Sequence, residues 1–258
     1  MAIVAVVAAP AAIHAIAGLR DVRNARGIAA LTGLFPVVLA GVLCARDVTT
    51  FLACWELMTL VPAAAILLAG DAAPTRRTVF EYLAITHIGG AGVWAAMILL
   101  AANGALGAHG GLSGAGTALT ATVAVAGIVG FGTKAGLVPL HAWLPRTHPL
   151  APPHVSALMS GAMVAVALYG MARLLLEWIG RPAPWMGVLL MALGATSALV
   201  GAGYALFQRD LKRLLAFSTV ESMGVAAMAL AAAALFLAQD DARWAGVALA
   251  AALLQALA

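Results

Sequence analysis

The residues best suited to chemistry in this sequence are ionisable side chains embedded in apolar stretches. Glu56 stands in the run Phe51–Leu52–Ala53–Cys54–Trp55–Glu56–Leu57–Met58–Thr59–Leu60, roughly 12 Å into a helix that begins near residue 48, at 1.5 Å per residue. Lys134 lies near the end of an uncharged run that opens near Leu112, and apolar residues continue past it to Leu144. A carboxylate and a lysine that meet and separate in such surroundings can take up and release a proton. Histidines titrate near neutral pH and suit relay. His87 lies inside an apolar stretch, His141 follows Lys134 by seven residues, and His148 and His154 flank a proline-rich stretch. Glu221 lies about two turns beyond the basic cluster Arg209–Arg213 and reads equally as a relay group or as a residue near the membrane surface. Pro139 lacks an amide hydrogen and frees a carbonyl in the preceding turn, so a helix break is expected around Lys134–Pro139. Each residue has a plainer reading too: Glu56 as an interfacial neighbour of Trp55, Lys134 as a snorkelling side chain, each histidine as a structural one. Glu81, near a helix start where the dipole favours a carboxylate, reads as structural.

These groups need a solvent to be placed in. The 258 residues are 64% hydrophobic and 9% charged, with a mean hydropathy of +1.03. Soluble domains carry roughly 25% charged residues, and 9% cannot cover a water-facing surface. Apolar runs long enough to span a bilayer, about 20 residues each, recur along the whole chain. They are continuous rather than alternating, which selects helices over a barrel. The fold class is therefore all-α, a polytopic bundle of eight or nine transmembrane helices in a single domain over 1–258, with its core at 48–238. The apolar segments run over about 1–19, 27–45, 48–69, 78–102, 118–144, 153–179, 184–207 and 214–238, and a ninth opens near Trp244. At membrane depth an ionisable group costs a few kcal/mol or more, so the residues above need a reason to be there.

Glycine numbers 27. In lipid such small residues let helices approach closely, and Ser197–Gly203 has that character. The basic loop residues divide nine to four between the two sides if connections alternate: Arg20, Arg23, Arg26, Arg76, Arg77, Arg146, Arg209, Lys212 and Arg213 against Arg46, Arg173, Arg181 and Arg243. The excess belongs on the cytoplasmic side. The net charge of +4 is dispersed and gives no nucleic-acid signal. Cys44 and Cys54 have no metal-ligand spacing, and no phosphate loop or cysteine cluster is present. No cofactor or metal is expected.

Three stretches carry a resemblance. Trp55–Glu56–Leu57–Met58, then Gly132–Thr133–Lys134–Ala135–Gly136–Leu137–Val138–Pro139–Leu140–His141–Ala142–Trp143–Leu144–Pro145 with His148–Pro149 and Val155–Ser156–Ala157–Leu158, then Ala205–Glu221, resemble the proton-conducting antiporter-like membrane subunits. That family takes in the large membrane subunits of complex I, Mrp-type antiporter subunits and the membrane subunits of hydrogenase-4 and formate hydrogenlyase. The resemblance implies that Lys134 is the broken-helix lysine and Glu56 its carboxylate partner. It also implies a hydrated proton path through the bilayer, redox chemistry on other subunits of the assembly, and a multi-pass location in the inner (plasma) membrane. A transport-inactive structural module and a sodium/proton antiporter subunit are the alternatives. Against the family pattern, Ser160–Gly161–Ala162–Met163–Val164–Ala165 places Ala165 where a second lysine is expected. The family pattern also suggests further helices at both ends.

Overall fold

The computed structural model describes residues 2–18, 24–70, 72–106, 111, 112 and 114–257. Arg20 and Arg23 of the basic loop set lie outside the described residues. The described residues form helices and connecting turns, with no strand among them. The elements are α1 (Ala2–Gly18), α2 (Ala25–Cys44), α3 (Val48–Ala69), α4 (Ala73–Ala102), α5 (Thr117–Ala135), a short α6 (Trp143–Thr147), α7 (Pro153–Trp178), α8 (Pro184–Leu206), α9 (Leu211–Ala238) and α10 (Ala242–Leu257). Among the described residues seven segments are long and apolar enough to cross a bilayer, with α5 and α6 forming one of them across Thr117–Thr147. Each of the eight apolar segments read from the sequence contains a helix, the one at 118–144 broken after Ala135, and the ninth, opening near Trp244, is α10. The first and last, at 17 and 16 residues, fall short of the spanning length.

Local chemistry sets the helix ends. Asp47 caps α3 by accepting from the Thr50 amide at 2.8 Å, and Asp210 caps α9 by accepting from the Arg213 amide at 2.9 Å. Pro74 and Pro184 sit in the first turns of α4 and α8, where the missing amide hydrogen costs nothing. The break after Lys134 precedes Pro139. Gly136 has φ +79°, and the Leu137 amide reaches back to the Gly132 carbonyl at 2.8 Å, a Schellman ending that only glycine adopts without strain. Pro139 follows a chain that has already left the helix, and the Val138 amide is tied to Ser197 Oγ at 2.9 Å. Two π-helical turns, Met159–Met163 and Leu174–Trp178, interrupt α7.

The core is built on α3, α5 and α7. Phe51, Trp55, Phe131 and Trp178 pack edge to face, with the Trp55 and Phe131 rings 5.1 Å apart. The outer faces are apolar: Phe80, Ile88, Val188 and Leu199 are all exposed, as lipid contact requires. α8 and α9 form the closest-packed pair. At Gly201 a Cβ would lie 2.5 Å from the Glu221 amide nitrogen, and at Gly224 one would lie 3.0 Å from the Ser197 backbone, so one face of the stretch Ser197–Gly203 meets α9 backbone to backbone while Leu199 faces outward.

Candidate proton-relay site

Lys134 sits on the last turn of α5, at the rim of the break, and is 2% exposed. Its Nζ hydrogen-bonds Thr59 Oγ1 on α3 and lies 5.8 Å from the centroid of the Trp55 ring. Thr59 is the twelfth residue of a 22-residue helix, which puts the contact near the middle of the span. Tyr82 Oη donates to the Thr59 carbonyl at 3.2 Å, and Trp143 Nε1 donates to the Thr133 carbonyl at 2.8 Å. Helices α3, α4, α5 and α6 thus each contribute to the lysine's surroundings.

Glu56 precedes Thr59 by three residues, about one helical turn and 4.5 Å of rise. It is held by α4. Trp94 Nε1 donates to Glu56 Oε1 at 2.7 Å, and His87 Nε2 stands 3.2 Å from Glu56 Oε2. The carboxylate lies over Gly90, where a Cβ would stand 3.5 Å from Oε1. Lys134 and Glu56 do not come within 4.0 Å of each other; the ion pair the structure forms at this carboxylate is with His87. The expected Glu–Lys pair is therefore displaced by one turn: the lysine rests on a hydroxyl and the carboxylate on a histidine.

The His87 contacts fix one of its hydrogens. Its Nδ1 faces the Leu83 carbonyl at 2.8 Å, which can only accept, so Nδ1 carries a hydrogen. Its Nε2 faces a carboxyl oxygen. The contact forms either as imidazolium against carboxylate or as imidazole accepting from a carboxylic acid. Either form places a proton between His87 Nε2 and the Glu56 carboxyl.

The remaining residues occupy other places. His141 lies in the 3₁₀ turn Leu140–Ala142 beyond the break, and its Nδ1 is buried with no hydrogen-bond partner among the described residues. His154, on the first turn of α7, is 3% exposed with both ring nitrogens unpartnered, 6.1 Å from the His14 ring by centroids. Between them His148 is buried, with Nδ1 on Ser156 Oγ at 2.9 Å and Nε2 unpartnered. Buried polar atoms normally find partners, so each of these open ring nitrogens can take one more donor or acceptor. Glu221 is half-buried on α9 against α8, apart from both groups. Glu81 is paired with Arg77 at 3.2 Å and Arg146 at 2.7 Å. Among the described residues no three His, Cys, Asp or Glu side chains converge as a metal site would need. Thr59 and Trp94 are the site residues that motif reasoning passed over. Thr59 was legible as the residue one turn from Glu56, and Trp94 as the residue two turns from His87 on the same face.

Residues 45–239 match the family model described as NADH:quinone oxidoreductase/Mrp antiporter, TM. The chain belongs to this family. It is the family to which the Trp55–Met58 and Gly132–Pro145 motifs pointed. An uncharacterized protein of Mycobacterium tuberculosis (strain ATCC 25618 / H37Rv) is 44% identical over 207 residues, covering 80% of this chain and 32% of that protein. Hydrogenase-4 component B of Escherichia coli (strain K12) is 49% identical over 126 residues, 48% of this chain and 19% of that protein. Among solved structures, a chain of the Mrp complex from Dietzia sp. DQ12-45-1b superposes with a TM-score of 0.70 at 28% identity, covering 88% of this chain and 25% of that chain. The chain thus spans about a third or less of the length of these relatives.

Proposed function

We propose that this chain forms a proton-translocating part of a multi-subunit complex in a cell's inner (plasma) membrane, of the NADH:quinone oxidoreductase-like or energy-converting hydrogenase-like kind, with redox chemistry carried by other subunits. The observation that carries the reading is Lys134, buried at mid-span with its head group on Thr59 and the Glu56–His87 unit one turn away. The ammonium has two resting places on α3, the Thr59 hydroxyl and the Glu56 carboxylate. Moving between them changes the balance of charged and neutral lysine, because one place offers a counter-charge and the other a dipole. His87 holds the Glu56 carboxyl from α4 and is the group this reading assigns to exchange a proton with it. His141, His148, His154 and Glu221 are the groups this reading assigns as acceptors for a proton leaving the lysine.

The test is proton flux by the assembled complex in closed membrane vesicles. Lys134→Ala should reduce it by at least about tenfold, equivalent to about 1.4 kcal/mol on the transport barrier, with the complex still assembled. Undiminished pumping by that variant would end the reading. A second reading, a transport-inactive packing module, draws on Ala165, which stands where a second lysine was expected and lines an apolar cleft. Sodium antiport has less support. Both Glu56 oxygens are already engaged by Trp94 and His87, whereas a hard cation wants several oxygen ligands.

A further inference from the structure

The turn of α3 that meets Lys134 is short of a hydrogen bond. Pro62 lies inside α3 and has no amide hydrogen, so the Met58 carbonyl loses its partner four residues on. Met58, Thr59 and Pro62 are all buried. Thr59 directly follows that carbonyl, and its hydroxyl carries the Lys134 contact. A turn with a missing rung is where a helix bends, and here that turn holds the lysine's seat.

The frame around the turn is stiffer. At Gly92 a Cβ would lie 2.4 Å from the Ala126 carbonyl oxygen, and at Gly130 one would lie 2.6 Å from the Val93 amide nitrogen, so α4 and α5 meet backbone to backbone. Tyr82 reaches from that frame to the weakened turn. It is fully buried on α4, and its Oη donates to the Thr59 carbonyl at 3.2 Å. Its ring lies against that of Trp143, with 5.3 Å between centroids. Trp143 Nε1 in turn donates to the carbonyl of Thr133, the residue before Lys134. Tyr82 and Trp143 thus touch each other and grip one backbone carbonyl on either side of the Lys134–Thr59 contact.

We propose that Tyr82 is a positioning residue for proton transfer at Lys134: its hydroxyl stands in for the rung that Pro62 removes and keeps the Thr59 hydroxyl at the lysine's head group. This rests on the reading of Lys134 as the proton-carrying group. Tyr82 passes no proton in this role, because the carbonyl it serves can only accept. It acts by fixing where Thr59 stands. With that bond gone the turn is free to bend, and the lysine's two resting places, Thr59 and Glu56, lose their fixed distances from it.

Proton flux per assembled complex in closed vesicles tests this. Tyr82→Phe keeps the ring against Trp143 and leaves no side-chain donor unpaired, so the complex should assemble. Its flux per complex should fall about two- to tenfold, the range that the net worth of one hydrogen bond spans on a rate. Pro62→Ala returns the missing amide, and in that background Tyr82→Phe should cost little. In a Thr59→Val background it should also cost little, since the group it positions is gone. Unchanged flux per complex in Tyr82→Phe, or an undiminished loss in either background, overturns the proposal. A lower yield of assembled complex with normal flux per complex overturns it too, and leaves Tyr82 a packing residue. Lys134→Ala keeps the two ideas apart. If it loses flux and Tyr82→Phe does not, the positioning role alone falls; if it pumps normally, the reading beneath that role falls with it.

Discussion

Lys134 and Ala165 make an instructive pair. Each belongs to one of the two most buried spanning segments, and each sits close to an irregularity in its helix: the Gly136 ending for one, the π-helical turn at Met159–Met163 for the other. Around Lys134 the neighbouring helices turn polar atoms inward, with Thr59 on α3, Tyr82 on α4 and Trp143 on α6, and each is satisfied by a hydrogen bond. Around Ala165 the same depth is lined by aliphatic side chains, and the nearest charges are out at Arg173 and Glu177. An ionisable group in the bilayer comes with the means to hold it. Where the group is absent, those means are absent too, and what remains is a cleft with aliphatic walls rather than a set of orphaned donors. The polarity of a whole neighbourhood, and not one residue, separates the two regions.

The sharpest way to break that comparison is to install the missing charge. Ala165→Lys puts an ammonium about 18 Å into α7, where the cleft walls are aliphatic and Tyr169, one turn on, is the first polar side chain along the helix. A lysine at the centre of a transmembrane helix costs about 2.5–3.5 kcal/mol on insertion scales, and the variant should lose stability of that order, read as a lower melting temperature or a lower yield of assembled complex. Native stability in Ala165→Lys would mean that the cleft already hides water or a partner group, and the contrast with Lys134 would collapse.

The reverse operation, with a somewhat smaller effect, removes the support and leaves the charge. Thr59→Val keeps the shape of the side chain and deletes the hydroxyl that Lys134 uses. Leaving a buried donor unsatisfied costs about 1–3 kcal/mol. Two readouts separate the possible consequences. Thermal stability should fall by that amount, and proton flux should change as well, because the lysine's only remaining resting place on α3 is Glu56. A stability loss with unaltered flux would make Thr59 a packing residue and confine the proton path to the other contacts.

Much of this arrangement was open to reading before any coordinates. Composition alone requires a helical membrane bundle, because 9% charge cannot solvate a surface. The segment 48–69 falls on α3 to the residue, since Asp47 and Gly70 bound it chemically. The break near Lys134 was legible, but its cause was not. Pro139 is the conspicuous breaker in the sequence, whereas the chain turns at Gly136, and that depends on a backbone angle a residue list does not display. The pairing of Glu56 was the least legible feature. Opposite charges on two apolar helices suggest direct contact, yet rotation of α3 sends residue 56 toward α4 and residue 59 toward α5. One turn of helix decides which partner each receives, and a pattern of residue types cannot fix the rotation of one helix against two others. His148 was legible as a titratable group, but its burial with one ring nitrogen on Ser156 and the other unpartnered was not.

The smallest expected effect makes the comparison quantitative from outside the bilayer. Asp47 and Glu56 belong to the same helix, nine residues apart. Asp47 is exposed and is served by its own helix: the amide and hydroxyl of Thr50 donate to it and hold its carboxyl below the ordinary carboxylate range. A carboxyl whose folded-state pKa is depressed contributes stability above the unfolded value, about 3.9 for aspartate, and that contribution is lost as the pH falls through the lower folded value. Asp47→Ala should therefore cost a little stability at pH 7 and progressively less as the pH falls below 4. It should leave proton flux untouched, because water already supplies any charge that end of α3 exchanges. Glu56→Gln, on the same helix, should reverse the pattern, disturbing flux more than stability through the loss of the proton shared with His87. If the two carboxylates instead responded alike in both assays, depth in the bilayer would not be what distinguishes them. The polar neighbourhood of Lys134 would then need a different explanation from the one drawn against Ala165.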